Sequence, residues 1–134
     1  MPEERSVSVS DAPLILIVDD DRSVRESLKM LFESFGFAAD IFGSAEELLK
    51  SARLPDTACL VLDVRLPGMS GLDLQSRLKG DGHSVPVIFI TAHPDERARR
   101  QALQAGASGF FHKPFSGDEL LRAVREFGSR SGRR

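Results

Sequence analysis

The feature that most constrains the fold of this chain is a five-fold alternation of short apolar runs with longer amphipathic segments. Successive β-α units of this kind predict a parallel sheet covered by helices. Three runs are almost uninterrupted, at 14–18, 58–62 and 87–90, which is typical of central strands buried on both faces. The runs at 37–42 and 109–112 are less apolar and suit the two edges. The expected fold class is therefore α/β, with one five-stranded sheet.

Helix signals fill the gaps between these runs in the matching order. The first helix is predicted from an apolar stripe that we expect to face the core: Val24, Leu28, Leu31, Phe32 and Phe35. Capping boxes predict that the second and fifth helices begin at Ser44 and Ser116. The third is predicted to begin near Ser70 and the fourth at Pro94. Because the fourth helix presents mostly alanine inward, we expect it to be weakly held and able to shift.

Length, charge and composition narrow the class of protein. The 134 residues suit one domain, predicted to cover 13–127 with flexible ends at 1–12 and 128–134. A formal net charge of −2 gives no reason to expect nucleic-acid binding. No signal peptide or membrane-spanning run is visible, so a cytoplasmic protein without membrane contact is expected. The single cysteine, Cys59, lies in an apolar run and is interpreted as core.

Polar side chains end four of the five runs. Asp19 and Asp20 follow the first, Asp63 ends the third, Thr91 the fourth and Lys113 the fifth. In an open parallel sheet, ligands bind at the carboxyl ends of the strands. Each residue alone is more simply explained as a turn former or a solvated charge. Together they predict that carboxylates, a hydroxyl and an ammonium group converge at one edge.

Three carboxylates in one crevice would repel one another unless a cation neutralised them. Ligands that are all oxygen favour a hard ion, and Mg²⁺ uses few carboxylates while keeping several waters. The formal charges of Asp19, Asp20 and Asp63 are cancelled by one Mg²⁺ together with Lys113. The predicted cofactor is therefore Mg²⁺.

Four segments carry a family resemblance: 17–21 (IVDDD), 60–71 (LVLDVRLPGMSG), 90–92 (ITA) and 112–115 (HKPF). In order and spacing they resemble the signature blocks of the response-regulator receiver domains of two-component signal transduction. The resemblance spans 14–127, and the local sequence is most similar to that of the nitrogen-fixation-regulator type. It implies a flavodoxin-like, doubly wound sheet like that of the chemotaxis regulator, in strand order 2-1-3-4-5 with five helices on both faces.

The resemblance also implies a role for each site residue. Asp63 resembles the phosphoacceptor, which receives a phosphoryl group from a sensor histidine kinase or a histidine phosphotransfer protein. Asp19 and Asp20 resemble the acidic pair that holds Mg²⁺ with Asp63, and Arg65 would add only its backbone carbonyl. Thr91 resembles the hydroxyl that bonds the phosphoryl group.

Three further features are implied at the fifth strand. Lys113 resembles the lysine that pairs with the phosphoryl group, and the Lys113–Pro114 bond resembles the family's cis peptide. Phe110 resembles the aromatic switch, although tyrosine often stands there and its hydroxyl is absent here. Arg65 and His93, each two residues beyond a site residue, occupy positions that tune autodephosphorylation, and a role as solvated loop residues is an equal alternative.

The function implied is a phosphorylation-activated signalling switch that changes the surface around the fourth helix and fifth strand. The chain would be no enzyme beyond assisting its own phosphorylation and dephosphorylation. Further partners implied are a downstream protein or effector domain and a second copy of the chain on phosphorylation. Relatives of the nitrogen-fixation type often carry a C-terminal helix-turn-helix, and the sequence leaves open whether an effector domain follows.

Two alternatives remain open at this point. A small aspartate-nucleophile phosphatase of the haloacid dehalogenase type would also place an Asp after a strand. That family needs a second Asp two positions later, where this chain has Arg65, and usually a cap for its substrate. The other alternative is a receiver-like interaction module that takes no phosphate, which the presence of every required residue disfavours.

Overall fold

The computed structural model describes residues 12–93 and 95–132, with side chains described as far as Glu126. The five strands are β1 (Leu14–Val18), β2 (Ala38–Phe42), β3 (Thr57–Asp63), β4 (Val87–Thr91) and β5 (Gly109–His112). The helices are α1 (Arg22–Ser34), α2 (Ala45–Leu49), α3 (Gly71–Gly80), α4 (Glu96–Gln104) and α5 (Gly117–Gly132), with a short 3₁₀ helix at Leu54–Asp56 before β3.

All four strand pairings are parallel, and the sheet order is β2-β1-β3-β4-β5. The order predicted from the resemblance is therefore confirmed. The three most apolar runs form the central strands, and their side chains are all buried. The two runs that contain both apolar and polar residues form the edge strands β2 and β5, as their composition indicates.

The sheet separates two hydrophobic cores, because alternate side chains of each strand point to opposite faces. On one face, Leu16, Leu60 and Phe89 pack with apolar residues of α2, α3 and α4. On the other, Ile17 and Val61 pack with α1 and α5. Helices thus cover both faces, as the doubly wound class requires.

Local capping explains where the helices begin. The side chains of Ser44, Ser70 and Ser116 each accept a hydrogen bond from a backbone amide three residues later. The prediction at the fourth helix is wrong by two residues: Asp95 is the N-cap, with its side chain accepting from the Ala98 amide. Position 94 lies outside the described residues.

Two other expectations differ from the structure. Phe35 is 47% exposed, so its predicted place in the core is wrong. The helix ends one residue before it, and the chain turns back so that Phe37 packs edge-on against Phe32, with ring centroids 6.0 Å apart. At the other end, α5 continues to Gly132, beyond the predicted domain end at 127. The N-terminal segment 1–11 and the final residues 133–134 lie outside the described residues.

The alignment of the strands brings the polar residues together. Val18 pairs with Leu62, so Asp19 and Asp63 leave adjacent central strands at the same level. Thr91 ends β4 opposite His112, and the Lys113 amide donates to the Thr91 carbonyl over 2.6 Å. The carboxyl edge of the sheet is therefore where the predicted residues meet.

Candidate functional site

The centre of the site is a group of three carboxylates. Oxygens of Asp19, Asp20 and Asp63 lie within 4.8 Å of one another. Asp19 and Asp63 are buried at 0% and 6% exposure, whereas Asp20 is exposed. The site is thus an acidic crevice with two buried walls and one side open to solvent.

Lys113 bridges the two buried carboxylates. Its Nζ donates to Asp19 Oδ2 over 2.8 Å and to Asp63 Oδ2 over 3.2 Å, from 94 and 50 positions away in the chain. Burial alone would lower the pKa of Lys113, but its hydrogen bonds and the charges of Asp19 and Asp63 raise that pKa above its ordinary value. The ammonium group therefore stays charged and offsets part of the negative charge.

The environment of Asp63 favours its neutral form more than that of an ordinary aspartate. Burial, followed by the nearby Asp19 charge, raises the pKa of Asp63 to about 6, against opposing effects of the Arg65 amide and Lys113. The Arg65 amide donates to Asp63 Oδ1 over 3.0 Å. One oxygen of Asp63 thus faces Lys113, and the other is held by the loop that follows β3. A cation bound in the crevice would favour the ionised form of Asp63.

Asp19 is fixed from several directions. Its Oδ1 accepts from the Asp21 amide over 2.8 Å, and its own amide donates to the Phe42 carbonyl. The Arg25 guanidinium, from α1, donates to the Asp19 carbonyl over 2.8 Å. Sequence reasoning missed Arg25, since a single arginine on the polar side of an amphipathic helix carries no signal of this contact.

Gly71 allows α3 to approach the end of β3 closely. A Cβ at this position would collide with the Asp63 carbonyl oxygen and lie 3.2 Å from the Phe89 ring. The Gly71 amide donates to the Val64 carbonyl over 3.0 Å, which closes the loop that follows Asp63. Only glycine gives the backbone this approach without displacing the acceptor segment.

Thr91 lies at the site edge but bonds within its own loop. Its hydroxyl donates to the His93 carbonyl over 3.2 Å and accepts from the His93 amide over 3.1 Å. The side chain is 2% exposed. The structure brings Asp19, Asp20, Asp63 and Lys113 together. The Thr91 hydroxyl is bonded to the backbone of His93.

Phe110 lies on β5 beside an open groove of about 450 Å³ between α4 and β5. Its ring is partly buried and tilted by 41° against Phe89, with centroids 6.1 Å apart. Thr91 and Phe110 both line the groove. The predicted switch residues therefore share one space, next to the helix with the alanine-rich inner side.

The predicted cis peptide bond is present at Lys113–Pro114. A family model for the response regulator receiver domain matches residues 15–125. The chain belongs to the response regulator receiver family. The relatives that the receiver matches are response regulators, which are signalling proteins.

Relatives and solved structures agree with this assignment. The receiver is 48% identical over 115 residues to nodulation protein W of Bradyrhizobium diazoefficiens, covering 86% of this chain and 51% of that protein. It is 41% identical over 109 residues to the transcriptional regulatory protein FixJ of Azorhizobium caulinodans, covering 81% of this chain and 52% of that protein. It also resembles the solved structure of the response regulator StyR, with a TM-score of 0.83 and 41% identity over 91% of this chain and 62% of that one.

The receiver spans about half the length of the curated relatives it matches. The resemblance to the nitrogen-fixation-regulator type is confirmed by the match to FixJ. Among the described residues, no helix has the length and apolar character needed to cross a membrane.

The donor set of the receiver fits Mg²⁺. Three carboxylates, two from the end of β1 and one from β3, offer only oxygen atoms within a short distance of one another. Asp20 is exposed, so the open side of the crevice has room for the waters that Mg²⁺ retains. Asp19, Asp20 and Asp63 would hold the ion, as the sequence predicts.

Proposed function

We propose that the receiver is a phosphorylation-activated switch in which Asp63 accepts a phosphoryl group with Mg²⁺ bound beside it. The observation that carries this proposal is the position of the Asp63 carboxylate, buried beside a second acidic side chain and bonded to Lys113. A purely structural aspartate gains nothing from a second buried carboxylate, which costs stability through repulsion. Such an arrangement instead suits a group that must react with an anion in the presence of cations.

The chemistry proposed is transfer of a phosphoryl group from a phosphohistidine. An oxygen of the ionised Asp63 forms a bond to phosphorus as the bond from phosphorus to the histidine nitrogen breaks, and that nitrogen takes the electron pair and a proton from solvent. Lys113 stabilises the oxygens of the incoming group, because its ammonium already reaches the Asp63 carboxylate. When bound, Mg²⁺ would offset the negative charge on the phosphoryl oxygens as a Lewis acid.

The residues around Asp63 are proposed to orient it for this step. The Arg65 amide holds one carboxylate oxygen, and the Arg65 carbonyl is the proposed fourth ligand to the metal. Arg25 holds the backbone of Asp19, so this member of the acidic pair is fixed before the ion binds. A site held in place in advance binds its ion with less loss of entropy.

Phosphorylation is proposed to change the surface at α4 and β5. The phosphoryl group carries up to two negative charges in place of the single carboxylate charge of Asp63, and it brings new acceptor oxygens. The Thr91 hydroxyl, which now donates to the His93 carbonyl, would donate to a phosphoryl oxygen instead. Phe110 would then turn inward through the groove that both residues line. Because α4 buries mainly Ala98 and Ala102, its displacement costs little.

The partners proposed are those of two-component signalling. A sensor histidine kinase or histidine phosphotransfer protein would supply the phosphoryl group, and a downstream protein, an effector domain or a second receiver would read the changed surface. The relatives that are about twice as long include a transcriptional regulatory protein, which suggests an effector domain as the reader. We propose no direct nucleic-acid binding by these residues, and a cytoplasmic location.

Intact-protein mass spectrometry tests the transfer. Incubation with acetyl phosphate and Mg²⁺ is expected to add one phosphoryl group to the wild type and none to Asp63→Asn. Omission of Mg²⁺ is expected to abolish the addition. A wild-type chain that gains no phosphoryl group would leave a receiver-like interaction module as the better interpretation. Turnover of a general phosphate ester would instead favour the phosphatase.

Nuclear magnetic resonance tests the switch separately. Addition of beryllofluoride with Mg²⁺, which mimics the phosphoryl group, is expected to move the amide signals of residues 95–113. Signals of the last turn of α1, residues 30–34, on the far face of the sheet and remote in the helix from Asp19, serve as the internal control and are expected to change little. Unchanged signals at α4 and β5 would contradict the proposed output surface.

A further inference from the structure

A contact between α2 and the loop after Asp63 links two parts of the receiver that are distant in sequence. The Glu46 Oε2 atom accepts a hydrogen bond from the Met69 amide over 3.0 Å, across 23 positions of the chain. Glu46 lies in the first turn of α2. Met69 lies at the α3 end of the loop that joins β3 to α3, next to the N-cap residue of that helix. The exposed side chain of Glu46 thus contacts the β3-α3 loop as well as solvent.

The loop is shaped to receive this carboxylate. Gly68 has φ of +75°, a conformation that other residues rarely adopt. A Cβ at Gly68 would lie only 2.8 Å from Glu46 Oε2, so the absence of a side chain leaves room for the carboxylate. The hydrogen bond from the Met69 amide lowers the pKa of Glu46, which agrees with a contact to the charged form.

Other contacts hold both ends of this loop, through the amides of Arg65 and Gly71. Between them, Leu66 packs into the hydrophobic core. Glu46 adds a hydrogen bond to the loop backbone at Met69 from a separate helix. Loss of this contact would leave the Met69 amide without that acceptor while the other contacts stay in place.

We propose that Glu46 is a positioning residue, which holds the loop at Met69 and thereby keeps Arg65 in place beside Asp63. The inference rests on the proposed function, because it concerns the same site. Its effect reaches the acceptor through the backbone: a loop fixed at Met69 keeps the Arg65 amide on the carboxylate of Asp63. Glu46 touches none of the reacting groups itself.

The neighbouring Glu47 provides a matched control. Glu47 has the same side chain, lies in the same helical turn and is also exposed. Its Oε1 accepts from the Gly43 amide over 3.1 Å, within the turn before its own helix, and it makes no hydrogen bond to the β3-α3 loop among the described residues. Replacement of either glutamate removes one charge and one hydrogen bond to a backbone amide. Only one of them connects to the loop.

The first test is hydrogen exchange of the Met69 amide in metal-free protein, measured by nuclear magnetic resonance. Glu46→Ala is expected to speed this exchange by about five- to tenfold, as loss of one solvent-exposed hydrogen bond implies. Glu46→Gln keeps an acceptor oxygen and is expected to restore part of the protection. Glu47→Ala is expected to leave Met69 unchanged, and thermal unfolding shows whether both variants are folded.

The second test measures function in the same variants. Glu46→Ala is expected to weaken Mg²⁺ binding and to slow phosphorylation by acetyl phosphate, each by about threefold to tenfold relative to Glu47→Ala. Equal Met69 exchange, Mg²⁺ affinity and phosphorylation in the two variants would overturn the inference. A wild type that takes no phosphoryl group would refute the proposed function, and Met69 exchange and Mg²⁺ affinity would then decide on Glu46.

Discussion

Replacement of the acceptor carboxylate is expected to stabilise the metal-free receiver. In Asp63→Asn, the buried side chain keeps its shape but loses the charge that faces Asp19. Burial and that neighbouring charge raise the pKa of Asp63 from its ordinary value of 3.8 to about 6. The ionised carboxylate therefore destabilises the folded state above pH 6, and the variant removes this cost.

The size of the effect follows from the pKa shift. About two pKa units correspond to roughly 3 kcal/mol at about 1.4 kcal/mol per unit. The open side of the crevice admits solvent, and the variant also loses the charged contact with Lys113, so the net gain is smaller. We expect Asp63→Asn to raise the free energy of unfolding by about 1–2 kcal/mol at pH 7.5 without Mg²⁺.

The pH dependence gives the sign of the effect. Because the pKa of Asp63 is raised on folding, its contribution to stability is fully present below about pH 4 and is lost as the pH rises through about 6. Urea unfolding in a chelating buffer is therefore expected to show a small difference between variant and wild type at pH 4.5 and the full difference at pH 7.5. Asp56→Asn, at an exposed position in the 3₁₀ helix, serves as the control. A variant no more stable than wild type at pH 7.5 would refute the argument from repulsion.

Three further substitutions test other parts of the site. Lys113→Met leaves the carboxylates of Asp19 and Asp63 without their shared ammonium group, so we expect a loss of about 2 kcal/mol in urea unfolding at pH 7.5 and phosphorylation slowed at least tenfold. Gly71→Ala forces a Cβ against the Asp63 carbonyl, and we expect a loss of about 1–3 kcal/mol in the same assay. Arg65→Ala changes only an exposed side chain, and we expect an altered dephosphorylation rate, measured by loss of the phosphorylated mass, with unfolding unchanged.

Each of these substitutions has a matched control on the surface. Lys50→Met removes an exposed lysine at the end of α2. Gly80→Ala adds a Cβ where no atom lies within 4 Å. Arg97→Ala removes an exposed arginine of α4. If the variants of Lys113 and Gly71 behaved like these controls, the roles given to those two residues would be contradicted. If Arg65→Ala, Arg65→Asn and wild type lost the phosphoryl group at equal rates, Arg65 would be a solvated loop residue.

The fold could be predicted from the sequence because its signals are local and repeat. A buried central strand such as β3 appears as a continuous apolar run, and the order of runs and helices leaves few arrangements of a parallel sheet. The same topology predicted that Asp63 and Lys113 would meet although 50 positions separate them. Residues that end parallel strands reach one edge whatever the details of packing.

The errors and omissions have a common physical cause. Phe35 continues the helical spacing, but the helix ends before it and Arg125 lies over its exposed ring at 5.3 Å. Pro94 suits a first helical turn, yet the side chain of Asp95 caps the helix instead. The Glu46 contact joins two segments that no periodic pattern connects. Helix ends and single long-range hydrogen bonds depend on the packed backbone, which a sequence pattern does not specify.

The most direct test of the central claim is to locate the phosphorylated residue. Treatment of the phosphorylated receiver with borohydride reduces an acyl phosphate to a stable alcohol, which peptide mass mapping can assign to one position. We expect a single reduced residue, Asp63, formed only after incubation with acetyl phosphate and Mg²⁺. Reduction at Asp19 or Asp20, or none at any carboxylate, would contradict it.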